Sequence, residues 1–522
     1  MPRCKQIMKL FPYGILPIIS FLFPEFIWMY HGYIEADPFY LITTENQIFN
    51  NNNYNNLDIR PIPYNDTIKI DRPFFNNVQY YIRNQYYYND NAPNLENTSD
   101  IWAGKGSTFF TSIHFDFQNK YLITSIEPFY TVSENLSFST YHTNSKFLVL
   151  NDGPAHLDRP YTSYGIRESQ IMLHYNGFGA GIANTNMWWG PGIHSSLNMT
   201  NNTSGFPYIM LGTVSEMKLG NSGIHLRYIY SELDDKNPAK PNYTALLGSY
   251  TYYSNPVVTI GFYRTFLSGG NRVSEVVTRS DAMLLPFQAF YKKTLVENDP
   301  DEDTDPTDQI ATGSISILFP ESKLKLYLEF GRNDHAWDIY DLRAMPNHSS
   351  ATQIGFRKYG MFEHPKIIFG FEYTNLVSSP FYAFRDEGHW NNKSDFEYNT
   401  YNGRRWTAHS GSDSDDLTIY SGYLSETRDF IISINYERHG IIEGIKLTDM
   451  DDPNYYNNRH FPEVKIELKC DYRIKLLNYN LFFFYEYEFE ENLGLSMQSV
   501  SNHRETDYKK ANVFGMGFIR KF

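Results

Sequence analysis

From about Trp102 nearly to its end, the chain alternates apolar and polar residues with a period of two. The clearest run is Val464, Ile466, Leu468, Cys470, Tyr472, Ile474 and Leu476, interleaved with Lys465, Glu467, Lys469, Asp471, Arg473 and Lys475. Successive strand side chains point to opposite faces, so this segment predicts a strand with one apolar and one charged face. After Asn478-Tyr479-Asn480, the residues Phe483, Tyr485, Tyr487 and Phe489 alternate with Phe484, Glu486, Glu488 and Glu490. The two segments predict a hairpin with an acidic row beside a mostly basic one, where opposite charges stabilise modestly. The same alternation recurs at Ile113 to Gln118, Ile224 to Tyr230 and Leu324 to Phe330.

A soluble β-sandwich also alternates, with its polar face in water. Three features favour a transmembrane outer-membrane β-barrel. The last strand, Asn512 to Phe522, ends on an aromatic residue; aromatics are abundant enough for interfacial girdles; and the connections alternate in length. Short links are expected near Asn176, Gly220, Asn255, Pro320, Met361, Thr427 and Asn478. Long ones lie between them, at Asn186 to Gly205, Gly269 to Asp308, Asn333 to His348, Val377 to Asp413, His439 to Pro462 and Asn492 to Tyr508. A strand ending at Phe522 in the periplasm makes the short links periplasmic and the long ones extracellular, with about 18 antiparallel strands. The fold class is therefore all-β, with short helical or irregular segments plugging the lumen.

The N-terminal part reads differently. Residues 1–30 carry Arg3, Lys5 and Lys9 before the apolar stretch Phe11 to Phe23, the layout of a secretory signal. Gln47 to Ser99 is rich in Asn, Tyr, Asp and Pro without sustained periodicity, so residues 31–101 are expected to be an irregular periplasmic or plug region and residues 102–522 the barrel.

Composition narrows the function. The chain of 522 residues is 17% aromatic, which argues against disorder, and has a net charge of −14, which argues against nucleic acid as a partner. Its mean hydropathy of −0.48 excludes a bundle of apolar transmembrane helices. Cys4 and Cys470 offer no disulfide framework, and the 15 histidines show no HExxH or paired Cys/His spacing, so no metal site or cofactor is expected. The acidic runs Asp299 to Asp305 and Asp413 to Asp416 lack an EF-hand glycine and read as solvated loops. No nucleophile elbow, phosphate-binding loop or dinucleotide fingerprint occurs.

The most unusual segment runs from Asn184 to Thr213. Trp188 and Trp189 precede the turn Gly190-Pro191-Gly192, and Asn201-Asn202 and Gly205-Phe206-Pro207 follow. This segment resembles the central signature of the Wzi-type capsule assembly proteins. Trp102 to Tyr130 is similar to that family's first hairpin, and the ordered set from Asp308-Gln309 through Gly331-Arg332-Asn333-Asp334-His335 to Pro346-Asn347-His348-Ser349 resembles its second signature block. The late segments around Tyr401 to Arg404 and His409 to Asp415 depart from the family pattern. The resemblance covers about Trp102 to Phe522. It implies a non-enzymatic barrel of the cell outer membrane, in contact with outer-membrane lipid, that binds capsular or exopolysaccharide and helps assemble or attach it at the cell surface.

Sugars present apolar C–H faces and rings of hydroxyls, so a binding surface pairs flat aromatics with amides and charges. Trp188, Trp189, Asn201, Asn202, Arg332, Asn333, Asp334, His335, Trp337 and Asp338 supply that mixture on two segments expected to be extracellular. The same residues have packing readings: the tryptophans as a corner fixing a loop in the barrel mouth, and Arg332 with Asp334 or Asp338 as an ion pair in the lumen. Two further functions stay open: a diffusion porin, from the charged inner face of residues 465–473, and an outer-membrane lipase or glycosidase using paired carboxylates. The protein is expected to act as a monomer.

Overall fold

In the computed structural model, the described residues are 38–51, 54–62, 78–93, 95–137, 159–274, 276–287, 306–333, 343–377, 388–391, 394–441, 462–476, 478–492 and 508–522. The expected signal segment, residues 1–30, lies outside them. Among the described residues, 18 antiparallel strands close into a barrel. Tyr208–Thr213 and Met217–Leu219 count as one interrupted strand, because both pair with Ser222–Glu232. Among the described residues no helix is long and apolar enough to cross a membrane.

All seven expected short links join neighbouring antiparallel strands. At Asn176-Gly177 both residues have positive φ, 50° and 82°, the backbone of the tight hairpin turn that Asn-Gly favours. The strand ends that flank the long connections lie at the opposite end, which is the extracellular side of an outer-membrane barrel. In the hairpin of Glu463–Lys475 with Tyr479–Glu491, Lys465 faces Glu490 and Lys469 faces Glu486, while Glu467 faces Glu488. The charged rows point into the lumen and the apolar rows outward, with Ile466 and Leu468 each 42% exposed where lipid would contact them. Ile182, Leu226, Ile260 and Ile434 are exposed in the same way on other strands. Burying that face in lipid is what makes the period-two pattern stable in a membrane.

The barrel begins earlier than residue 102. The strand Val78–Asn89 pairs on one side with Gly106–Gln118 and on the other with the final strand Tyr508–Lys521, closing the cylinder. Its sequence, VQYYIRNQYYYN, hides the alternation because tyrosine carries an apolar ring with a polar tip and serves either face. The closure is finished by stacking of Tyr80 on Phe522, ring centroids 5.0 Å apart.

Residues 31–101 also contain a helix, Pro38–Asn51. Proline suits a first helical position, and Phe39, Ile42, Glu45 and Phe49 recur at helical spacing on one buried face. That face packs on Tyr359, Ile368, Tyr420, Leu424 and Ile431, wall residues near the short-turn end, so the helix lies inside the lumen toward the periplasmic mouth.

Candidate functional site in the lumen

Four inward-folded segments meet in the barrel: residues 38–62, 95–104, 184–207 and 388–413. Ile59-Arg60 pairs with Trp188-Trp189 in a two-stranded sheet inside the lumen, and Trp189 N–H donates to the Met199 carbonyl at 3.1 Å. Both tryptophans are 0% exposed. Trp189 joins a core with Ile59, Met199, Phe206, Tyr243 and Trp406, and the Arg60 guanidinium lies 4.9 Å over the Trp188 ring. Of the two readings open for these rings, ligand surface or packed corner, their burial is that of the packed corner: flat aromatics beside a Gly-Pro-Gly turn fill a cylinder as readily as they bind sugar, and both indoles lie in the lumen at 0% exposure.

The turn glycines serve the same packing. Gly190 has φ +132°, and a β-carbon there would lie 2.7 Å from Glu329 Oε2 and 2.9 Å from Ser196 Oγ. Gly190→Ala is expected to destabilise the folded protein by about 1–3 kcal/mol, the range for a strained φ, checked by urea unfolding of the detergent-solubilised barrel. Gly192 and Gly205 are as tight, each within 2.1 Å of a backbone carbonyl at the same notional position, while Pro191 continues the buried turn and Pro207 is exposed at the approach to the next strand.

Carboxylates lock these segments to the wall. Glu45 accepts from Arg357 Nε and Nη2, each at 2.8 Å, from Tyr359 Oη at 2.8 Å and from Lys325 Nζ at 3.1 Å. Burial alone would raise its pKa, but the Arg357 and Lys325 charges and the Tyr359 hydroxyl hold it well below the usual carboxylate range. Asp58 takes Lys325 Nζ at 2.8 Å and Ser316 Oγ at 3.0 Å. Glu372 accepts the backbone N–H groups of Ile193, His194 and Ser195 at 2.9, 3.1 and 2.6 Å, together with Tyr327 Oη at 2.7 Å.

Asn202, 0% exposed, ties three segments. Its Nδ2 donates to the Arg405 carbonyl at 3.1 Å, and its Oδ1 accepts from Asn97 N–H at 3.2 Å and Arg404 Nη2 at 3.0 Å. Asn333 Nδ2 donates to the Trp390 carbonyl at 2.5 Å, and Arg332 sits beside it at the end of Leu324–Asn333. Asp334, His335, Trp337 and Asp338 lie outside the described residues. Asp413, Asp415 and Asp416, expected in a solvated loop, are instead buried (0, 6 and 1% exposed) where the chain turns into the strand Ser414–Leu424. A run of acids looks solvated in sequence, but Arg438 on the neighbouring strand pairs with Asp415 and imidazoles surround Asp416.

Between the plug and the wall strands that flank the barrel seam lies a cavity of about 310 Å³. Tyr87, Phe484 and Phe39 supply rings, Gln85, Asn97 and Asn201 amides, and Arg83, Arg167, Glu467 and Lys469 charges. This is the aromatic, amide and charge mixture expected for a sugar site, at a volume near the lower end for small-molecule pockets. Of the sequence-selected residues that are described, Asn201 alone lines it. The other residues that line it went unselected, as did three that hold the inward segments in place, Glu45, Arg404 and His409. Glu45 sits at helical spacing in a segment without other periodicity, and Arg404 and His409 stand where the chain leaves the family pattern, so the only sequence signal was their position.

Comparison with known proteins gives three results. The family profile described as capsule assembly protein Wzi matches residues 73–504. A search of curated proteins returned no match. Among solved structures, the chain is similar to Wzi of Escherichia coli, an outer-membrane protein involved in group 1 capsule assembly and described as a carbohydrate-binding β-barrel. The likeness has a TM-score of 0.54 and 9% identity, over 84% of this chain and 83% of that one. Weaker likenesses are to OccAB2 of Acinetobacter baumannii (TM-score 0.43, 9% identity, 87% of this chain and 100% of that one) and OprD of Pseudomonas aeruginosa (TM-score 0.40, 10% identity, 85% and 92%).

Proposed function

Because the chain belongs to the Wzi family of capsule assembly proteins, and is an outer-membrane β-barrel, we propose that it binds surface polysaccharide and holds it on the cell. The observation that carries this reading is a lumen filled by anchored segments, with a cavity of mixed aromatic, amide and charged lining left against the wall. A diffusion porin needs an open path, and the helix Pro38–Asn51 with the other buried inward segments occupies much of the lumen, so binding is favoured over permeation. The role is retention rather than turnover: polymer incubated with the purified protein is expected to be recovered at its original length.

A strain lacking the protein is expected to make polymer and release more of it into the medium. Ser433 lines the cavity from the wall strand Arg428–His439. Ser433→Trp fills that space and is expected to weaken binding of purified capsular polymer at least tenfold, an order of magnitude for about 1.4 kcal/mol of lost contact. Unchanged affinity in a folded Ser433→Trp protein, by surface plasmon resonance, moves the site out of the cavity. Unchanged cell-bound polymer in the deletion strain removes the function itself.

A further inference from the structure

At the extracellular end of the lumen, Glu96, His194, His409 and Glu437 each bring one nitrogen or oxygen to a common point, all four atoms within 4.8 Å of one another. They come from the 95–104 segment, the 184–207 segment, the 388–413 segment and the wall strand Arg428–His439. His409 Nε2 lies 2.8 Å from Glu96 Oε2, 3.1 Å from Glu437 Oε1 and 3.3 Å from Asp416 Oδ2. His194 Nε2 lies 3.1 Å from Asp416 Oδ2 and 3.9 Å from Glu437 Oε1. The outward oxygens are already taken: Glu96 Oε1 by Lys465, and Glu437 Oε2 by His439 at 3.0 Å.

A hydrogen-bonded network does not account for the inward atoms. His409 Nε2 carries at most one proton yet faces three carboxylate oxygens. Asn435 Nδ2 lies 2.6 Å from Asp416 Oδ1, 2.8 Å from Thr418 Oγ1 and 2.8 Å from His194 Nε2, three partners for two protons, and His194 Nε2 also faces Asp416 Oδ2. Asp416 Oδ2 is buried and receives no properly directed hydrogen bond. Lys465 Nζ reaches Glu437 Oε1 only at 3.5 Å, so more lone pairs converge here than there are protons to share, the arrangement of a coordination shell. Two ligands bound to zinc at about 2.0–2.2 Å in a tetrahedron stand roughly 3.3–3.6 Å apart, inside the spread of distances seen here.

We propose that Glu96, His194, His409 and Glu437 bind one divalent transition metal of the zinc class, with Asp416 beside them. Two imidazoles with two carboxylates select such an ion over calcium or magnesium, which take oxygen ligands. The cavity described above reaches Glu96 and His194 and gives the ion a way in. The metal would clamp three inward segments to one wall strand. Sequence spacing gave no sign of it, because the two histidines are drawn from segments over two hundred residues apart.

The test uses the full-length protein in detergent, stripped with EDTA and titrated with Zn²⁺ by calorimetry and with Co²⁺ by visible absorption. One saturable equivalent is expected, with the Co²⁺ bands of a four- or five-coordinate N/O site. His194→Gln and His409→Gln should each weaken Zn²⁺ at least tenfold while retaining heat-modifiable migration. Absence of a stoichiometric equivalent in the unaltered protein overturns the proposal, and decides it even if the variants fail to fold. Equal affinity in folded variants overturns it too, by placing the metal elsewhere.

Discussion

Glu45→Ala is expected to turn a closed barrel into one that passes ions. The substitution takes away the carboxylate shared by Arg357 and Lys325, both about 6% exposed or less; Lys325 keeps Asp58, but the Arg357 guanidinium is left in a buried place without its carboxylate. Removing one partner of a buried pair costs about 3–5 kcal/mol, enough to release a helix held otherwise by a handful of apolar contacts. The barrel wall does not depend on Glu45, so heat-modifiable migration should persist while planar bilayers record a steady current absent from the unaltered protein. A current no greater than the original, with the Pro38–Asn51 helix still protected from protease, would show that apolar packing alone seats it. Replacing both partners, Glu45→Leu with Arg357→Met, should restore closure, because an apolar pair avoids the stranded charge. The pH dependence has a defined sign. Burial opposes the charge on Glu45, but its cationic neighbours hold the folded-state pKa well below the ordinary 4.5. Its contribution is therefore fully present above about pH 4.5 and is lost as pH falls through the folded-state value. Closure should hold at neutral pH and weaken only in strong acid.

Trp189→Ala is expected to act on stability first and on polymer second. The indole is wholly buried in the central cluster, and truncating a buried tryptophan costs about 3–5 kcal/mol, since the lining atoms cannot collapse into the space. Denaturant unfolding should show a lowered midpoint, with polymer binding falling only in proportion to the folded fraction. Full stability combined with lost binding would return Trp189 to the role of a ligand contact.

The wall was legible in the sequence because each face of a strand meets a different medium. Val464 to Leu476 declares both faces at once, and every short link was placed by the break between such runs. Val78–Asn89 escaped because its tyrosines suit either medium. The plug was legible only as an unusual composition. Its residues are held by partners remote in sequence, Glu45 by Arg357 and Asn202 by Arg404, and nothing local marks a side chain as inward. Trp188 and Trp189 illustrate the cost: the residue types that recognise sugars are the ones that pack a cylinder. The same remoteness hid the acidic turn at Asp413 to Asp416, whose partners lie on another strand or another segment.

The pairing of Tyr81 with Lys521 joins the two extremes of the described barrel. Until that ladder forms, Val78–Asn89 and Tyr508–Lys521 each keep one edge of unmatched N–H and C=O groups, and the cylinder is an open, curling sheet. The segment 38–62 precedes the first of these strands, whereas 184–207 and 388–413 hang between strands already laid side by side. Order of assembly matters in consequence: once the ring is sealed, the Pro38–Asn51 helix can enter only from its short-turn mouth, whereas before that it can also be enclosed as the sheet curls. The seam is thus the point in the life of the chain at which the container is completed and its contents lose every way in but the mouths.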